Sequence, residues 1–104
     1  MDTRPIYITK DGSEIVELLH PDHDGPGAQS LAQARIPPGG RTFKHHHNLT
    51  EALYHFTSGK GIMELGGRRF PVATGETVRI PPGTPHCLEN SSSKEHLTLL
   101  CCCA

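Results

Sequence analysis

The chain has no tryptophan and few aromatic residues of any kind: two Tyr and three Phe in 104 residues. Apolar residues make up only 35% of it. The length allows one domain, residues 1–104, around one small core, and association with a second copy would bury more surface. No apolar run is long enough to span a bilayer, and the opening MDTRPIYITKDGSEI lacks the apolar stretch of a secretory signal. No membrane partner and a cytoplasmic location are therefore expected. Charge of neither sign dominates, with ten Lys and Arg against eleven Asp and Glu. That removes the basic footprint that nucleic-acid binding needs, and no block of like charge marks a tail. The four cysteines include three adjacent ones, Cys101 to Cys103, and no Cys-x-x-Cys pair. A disulfide framework is excluded. On a strand these thiols alternate between faces and pack as small hydrophobes in a reducing compartment.

What the chain does have is eleven Gly and nine Pro, spread between short apolar-alternating runs. Ile6 to Ile8, Ser30 to Ile36, Thr42 to His47, Ala52 to Thr57, Thr77 to Ile80, Cys87 to Glu89 and His96 to Cys103 read as strands. Gly61 to Leu65 and Arg68 to Val72 flank Gly66-Gly67, a hairpin signal. Glu14 to His20 is open between a strand and one helical turn. Pro21 to Gly27 is a loop by its turn residues. Many short strands punctuated by Gly and Pro predict an all-β sandwich or barrel with very little helix. The chain stops at Ala104 directly after an apolar run, so the last strand is a candidate for pairing across a dimer interface.

There are also eight histidines, and their placing carries the chemistry. His45-x-His47 aims two imidazoles to one face of an extended strand, and Glu51 keeps that parity if its segment stays extended. His86, in the block Gly75 to Asn90, must come from another strand. Neutral imidazoles and a carboxylate suit one divalent first-row ion: manganese, iron, nickel, copper or zinc.

These two blocks resemble the motifs of the cupin superfamily. GGRTFKHHHNLTEALYHFTSG, Gly39 to Gly59, follows the first motif: Gly, five residues, His-x-His, three residues, Glu, then Gly seven residues on. Gly75, Pro81, Gly83, His86 and Asn90 follow the second without a gap; Glu76 replaces the Asp that usually follows its first Gly. The resemblance covers about half the chain. It implies a double-stranded β-helix, or jelly-roll barrel, with a metal ion inside it held by His45, His47, Glu51 and His86. It also implies a small cupin that is often a homodimer.

Four protein ligands leave coordination positions open for water, dioxygen or a chelating ligand. Two readings follow. One is a small metalloenzyme acting on a hydroxy or keto acid, a sugar acid or a diketone. The other is a metal-containing module that binds or senses a small molecule without turnover. His55 shares the parity of Glu51 and is the candidate for an inward-facing acid or base, against the plainer reading of a half-buried strand histidine. Gln33 and Arg35 share one face and are candidates either for the mouth, where Arg35 would grip an acidic substrate, or for a solvated strand edge. Met63 and Phe43 read as core; Tyr54 is open between donating a phenol hydrogen bond to a ligand and packing on the face opposite the site. His46 and Cys87 point away from the ligands by parity.

Overall fold

Residues 6–19, 29–42 and 50–103 of a computed structural model are described here; among them there are nine strands and no helix. In chain order these are β1 (Tyr7–Ile8), β2 (Glu14–Leu19), β3 (Ser30–Ile36), β4 (Ala52–Ser58), β5 (Lys60–Leu65), β6 (Arg68–Ala73), β7 (Thr77–Ile80), β8 (His86–Asn90) and β9 (Leu97–Cys103). The segment open between strand and helical turn is strand β2. The run Thr42 to His47 falls, beyond Thr42, outside the described residues.

The strands make two sheets, one ordered β1-β2-β3-β9-β4-β7 and one ordered β6-β5-β8. All pairings are antiparallel. Period-two alternation then dictates which residues are inside. Along β4, Ala52, Tyr54 and Phe56 are buried while Leu53, His55 and Thr57 are exposed. Along β9, Leu97 and Leu99 are buried, and Cys101 and Cys103 continue the same face. Their inward faces meet Met63 of β5, Val72 of β6, Ile80 of β7 and Leu88 of β8 in one cluster. Met63 is core, as its sequence position suggests, and Phe56 fills the bulk that tryptophan would otherwise supply.

Local chemistry fixes the register. Gly66 and Gly67 both take positive φ (57° and 87°), so a two-residue turn joins β5 to β6 with Leu65 opposite Arg68. Gly59 ends β4 at φ 89°, and a Cβ there would lie 2.6 Å from the His96 carbonyl oxygen. Asn90, buried at the end of β8, ties three segments together. Its Nδ2 donates to the carbonyls of Ile36 (2.9 Å), Pro37 (3.1 Å) and Glu95 (2.7 Å), and its Oδ1 accepts from the Ser92 amide (2.9 Å).

One sequence expectation is corrected here. Strand β9 is not an edge waiting for a partner: β3 takes one side of it and β4 the other, each along most of its length. The apolar end of the chain is apolar because it is central. Among the described residues no helix is long and apolar enough to cross a membrane.

Candidate functional site

His86 opens β8 with its ring wholly buried. Its Nδ1 lies 2.9 Å from the Thr84 carbonyl oxygen. A carbonyl can only accept, so the neutral ring carries its proton on Nδ1 and keeps the lone pair on Nε2. The Pro81–Pro85 turn delivers that carbonyl, with Gly83 at φ 76° and the Thr84 amide donating to the Pro81 carbonyl (3.3 Å). The turn thus orients the ring and selects its tautomer. A carbonyl bound to the far nitrogen is the usual partner of a metal-ligating histidine.

Tyr54 stands edge-on to this ring, with centroids 5.8 Å apart and planes at 81°. Of the two sequence readings of Tyr54, ligand donor or packing on the other face, the structure favours the inward one. Burial first, and the Cys101 and Cys103 thiols second, push its phenol well above the ordinary range. The side chain is therefore a neutral hydroxyl at any physiological pH, able to donate a hydrogen bond and unable to act as a resting base.

Tyr54 also lines a cavity of about 280 Å³ between the sheets. Its walls are Ala32, Ala34 and Ile36 of β3, Leu88 of β8 and Leu99 of β9. Cys101 and Cys103 add two thiols with their sulfurs 3.7 Å apart. Burial and the neighbouring thiols push Cys101 up to about 12, so it stays protonated. The polar rim is the β1–β2 turn, where the Asp11 carboxylate accepts from Thr9 Oγ1, Ser13 Oγ and the Ser13 amide (3.0 Å for the last).

The remaining candidates point outward. The Glu51 carboxylate sits 2.8 Å from Arg79 Nε, both side chains largely open to solvent. Glu51 shares an outer recess with Gln29, Leu53 and Cys102. The inward position at the start of β4 is Ala52. Glu51, just before β4, is thus placed on the outer side rather than beside His86. His55 follows the same parity to the same face: it is exposed, and its Nδ1 lies 2.8 Å from Thr77 Oγ1. An inward acid–base role for His55 is corrected likewise. Arg35 pairs outward with Glu14 (3.8 Å), while Ala34 and Ile36 face the cavity, so Arg35 does not guard its interior. Cys87 points away from His86's face, its Sγ donating to Glu64 (3.2 Å), as parity requires. His45 and His47, with His46 and Phe43, lie outside the described residues. Among the described residues no cluster of three metal-ligating side chains occurs.

A buried, tautomer-fixed histidine thus opens β8, and Leu88, two residues on, lines the cavity between the sheets. A family description, cupin domain, matches residues 32–103, which include both sequence blocks. The chain belongs to the cupin family. Among its relatives is an uncharacterized protein of Methanocaldococcus jannaschii, 47% identical over 96 residues that span 92% of this chain and 76% of that one. A Streptomyces cyaneus protein named polyketide synthase CurC is 27% identical over 86 residues, covering 83% of this chain and 56% of that one. The crystal structure of a predicted oxalate decarboxylase from Thermotoga maritima is similar in fold, with a TM-score of 0.80 at 21% identity. It aligns over 97% of this chain and 90% of its own. In this cupin, the strand parity of β4 decides between the two sequence readings of Tyr54. Burial alternates from Ala52 onward, and that alternation puts the phenol on the inner face.

Proposed function

We propose that this cupin binds one divalent transition metal in its barrel, and that His86 Nε2 is one of the donors. The single observation that carries the reading is the His86 ring, buried and held by the Thr84 carbonyl with Nε2 as its basic nitrogen. His45 and His47 supply the other two imidazoles by sequence. Glu51, engaged with Arg79 on the outer face, is left out of the donor set. Manganese, iron, nickel, copper and zinc all suit such a set, and availability chooses among them.

Such an ion supplies Lewis acidity and open positions for a chelating small molecule. The protein's own contribution is separate. The apolar walls exclude water, and Tyr54 offers a neutral O–H donor beside the site. No described basic side chain inside the cavity is placed to take a proton, so the chain favours binding and polarisation over general-base chemistry. The homodimer remains part of the reading: Ile6, Tyr7 and Ile8 are exposed at 58%, 56% and 74% along the β1 edge, and a second copy would cover them.

The test is elemental analysis of protein reconstituted with metal and desalted, followed by incubation with chelating ligands and product detection by mass spectrometry. About one metal per chain with product formation supports a metalloenzyme. Stoichiometric metal with saturable binding and no product supports a sensing or carrier module. No stoichiometric metal overturns the reading.

A further inference from the structure

Strand β9 carries Cys101 and Cys103 two residues apart, so both thiols stand on one face, and both line the cavity. Two residues of strand advance the backbone by about 6.7 Å, yet the two sulfurs lie 3.7 Å apart. The side chains therefore lean toward each other. A disulfide does not suit this pair. It needs Cβ atoms about 3.5–4.5 Å apart, and same-face neighbours on one strand keep theirs near the backbone spacing. A shared metal ion does suit it. Thiolates about 2.3 Å from one ion stand about 3.8 Å apart at a tetrahedral angle and about 4.0 Å apart at a trigonal one.

The surroundings hold this bite in place and leave it room. Strand β9 is laddered to β3 on one side and β4 on the other. Small residues stand directly opposite the cysteines: Ala32 beside Cys101, and Ser30 and Ala52 beside Cys103. Tyr54, opposite Cys101 on β4, lines the same cavity, and its neutral hydroxyl is a donor suited to a thiolate. Cys102, between the two, turns to the other face, its Sγ 3.8 Å from Gln29 Oε1.

We propose that Cys101 and Cys103 form a second metal site in this cupin, a two-sulfur bite for a soft monovalent ion, Cu(I). Thiolates select soft ions, and Cu(I) needs as few as two donors, so the pair is sufficient by itself. Binding breaks two S–H bonds, forms two Cu–S bonds and releases two protons to solvent, and the copper stays monovalent. The site goes beyond the proposed function and uses none of its donors.

The test titrates reduced, metal-free protein with Cu(I) under anaerobic conditions, in competition with bicinchoninate, a coloured Cu(I) chelator that holds the ion against imidazole. The wild type is expected to withdraw about one Cu(I) per chain from the chelator. Cys101→Ser and Cys103→Ser are each expected to weaken that binding about tenfold or more, while Cys102→Ser stays within about threefold of the wild type. Circular dichroism melts establish that the variants are folded. Copper-edge X-ray absorption of the loaded wild type needs no variant and is expected to show sulfur bound to copper. No Cu(I) withdrawn by the wild type overturns the proposal, as does copper bound by nitrogen or oxygen alone. Folded Cys101→Ser and Cys103→Ser variants that bind as the wild type does also overturn it, and so does a Cys102→Ser variant as impaired as they are.

Discussion

His86 and Glu51 are the ligand candidates of the two motifs that the structure describes, and they have opposite fates. His86 is enclosed, and its remaining freedom is removed by one carbonyl. Glu51 is 43% exposed and paired with an arginine that is 73% exposed. Exposed pairs contribute little, so Glu51→Gln is expected to change stability by less than about 1 kcal/mol in urea denaturation. A loss of several kcal/mol would show that the carboxylate does more than sit on Arg79. Asn90 behaves differently. Truncating it removes the donor from the buried Ile36 carbonyl and the part-buried Pro37 and Glu95 carbonyls, and Asn90→Ala is expected to cost about 2–4 kcal/mol by the same measurement. The motif's asparagine is thus a clamp between three segments. That role was not legible in the sequence, because the three carbonyls come from segments up to 54 residues away.

At the scale of the strand, alternation carried most of what could be read. Ser30–Ile36 and Thr77–Ile80 are strands with the bounds the pattern gives, and the β5–β6 hairpin turns on Gly66-Gly67 as its composition requires. Parity failed at one join. Counting in twos from His47 puts Glu51 and His55 on the inner face, whereas β4 turns Ala52, Tyr54 and Phe56 inward. Parity holds within a strand and not across its connections, so a ligand set spread over two segments is read least securely at the join. The thiols of β9 give a pH test at this scale. Cys101 is pushed up to about 12 and Tyr54 is raised further, both chiefly by burial. Groups that are neutral when folded and ionise more readily when unfolded contribute stability below their unfolded pKa values, and that stability is lost as pH rises past them. The melting temperature is therefore expected to fall as pH rises above roughly 9, where free thiols and then phenols ionise. Cys101→Ala should flatten that fall; an equally steep fall in the variant would assign it elsewhere.

For the whole molecule, the two sheets share one hydrophobic core, and Leu88 of one sheet and Cys101 and Cys103 of the other line the same cavity. Phe56 is the largest fully buried side chain, and Phe56→Ala is expected to cost about 3–5 kcal/mol by chemical denaturation. Loss below about 1 kcal/mol would mean that the sheets close over the void at little cost. The exposed β1 edge belongs to this scale too. A dimer mass by light scattering at micromolar concentration is expected, shifted toward monomer by Ile8→Asp; a monomeric wild type would remove the dimer from the account.

The central claim is that the barrel holds a metal through buried imidazole without the Glu51 carboxylate. Isothermal titration of nickel into metal-free wild type, His86→Ala and Glu51→Gln tests it most directly. The account predicts one site per chain in the wild type, affinity reduced about tenfold or more in His86→Ala, and affinity within about threefold of wild type in Glu51→Gln. A wild type without a saturable site, or a Glu51→Gln variant as impaired as His86→Ala, would contradict it.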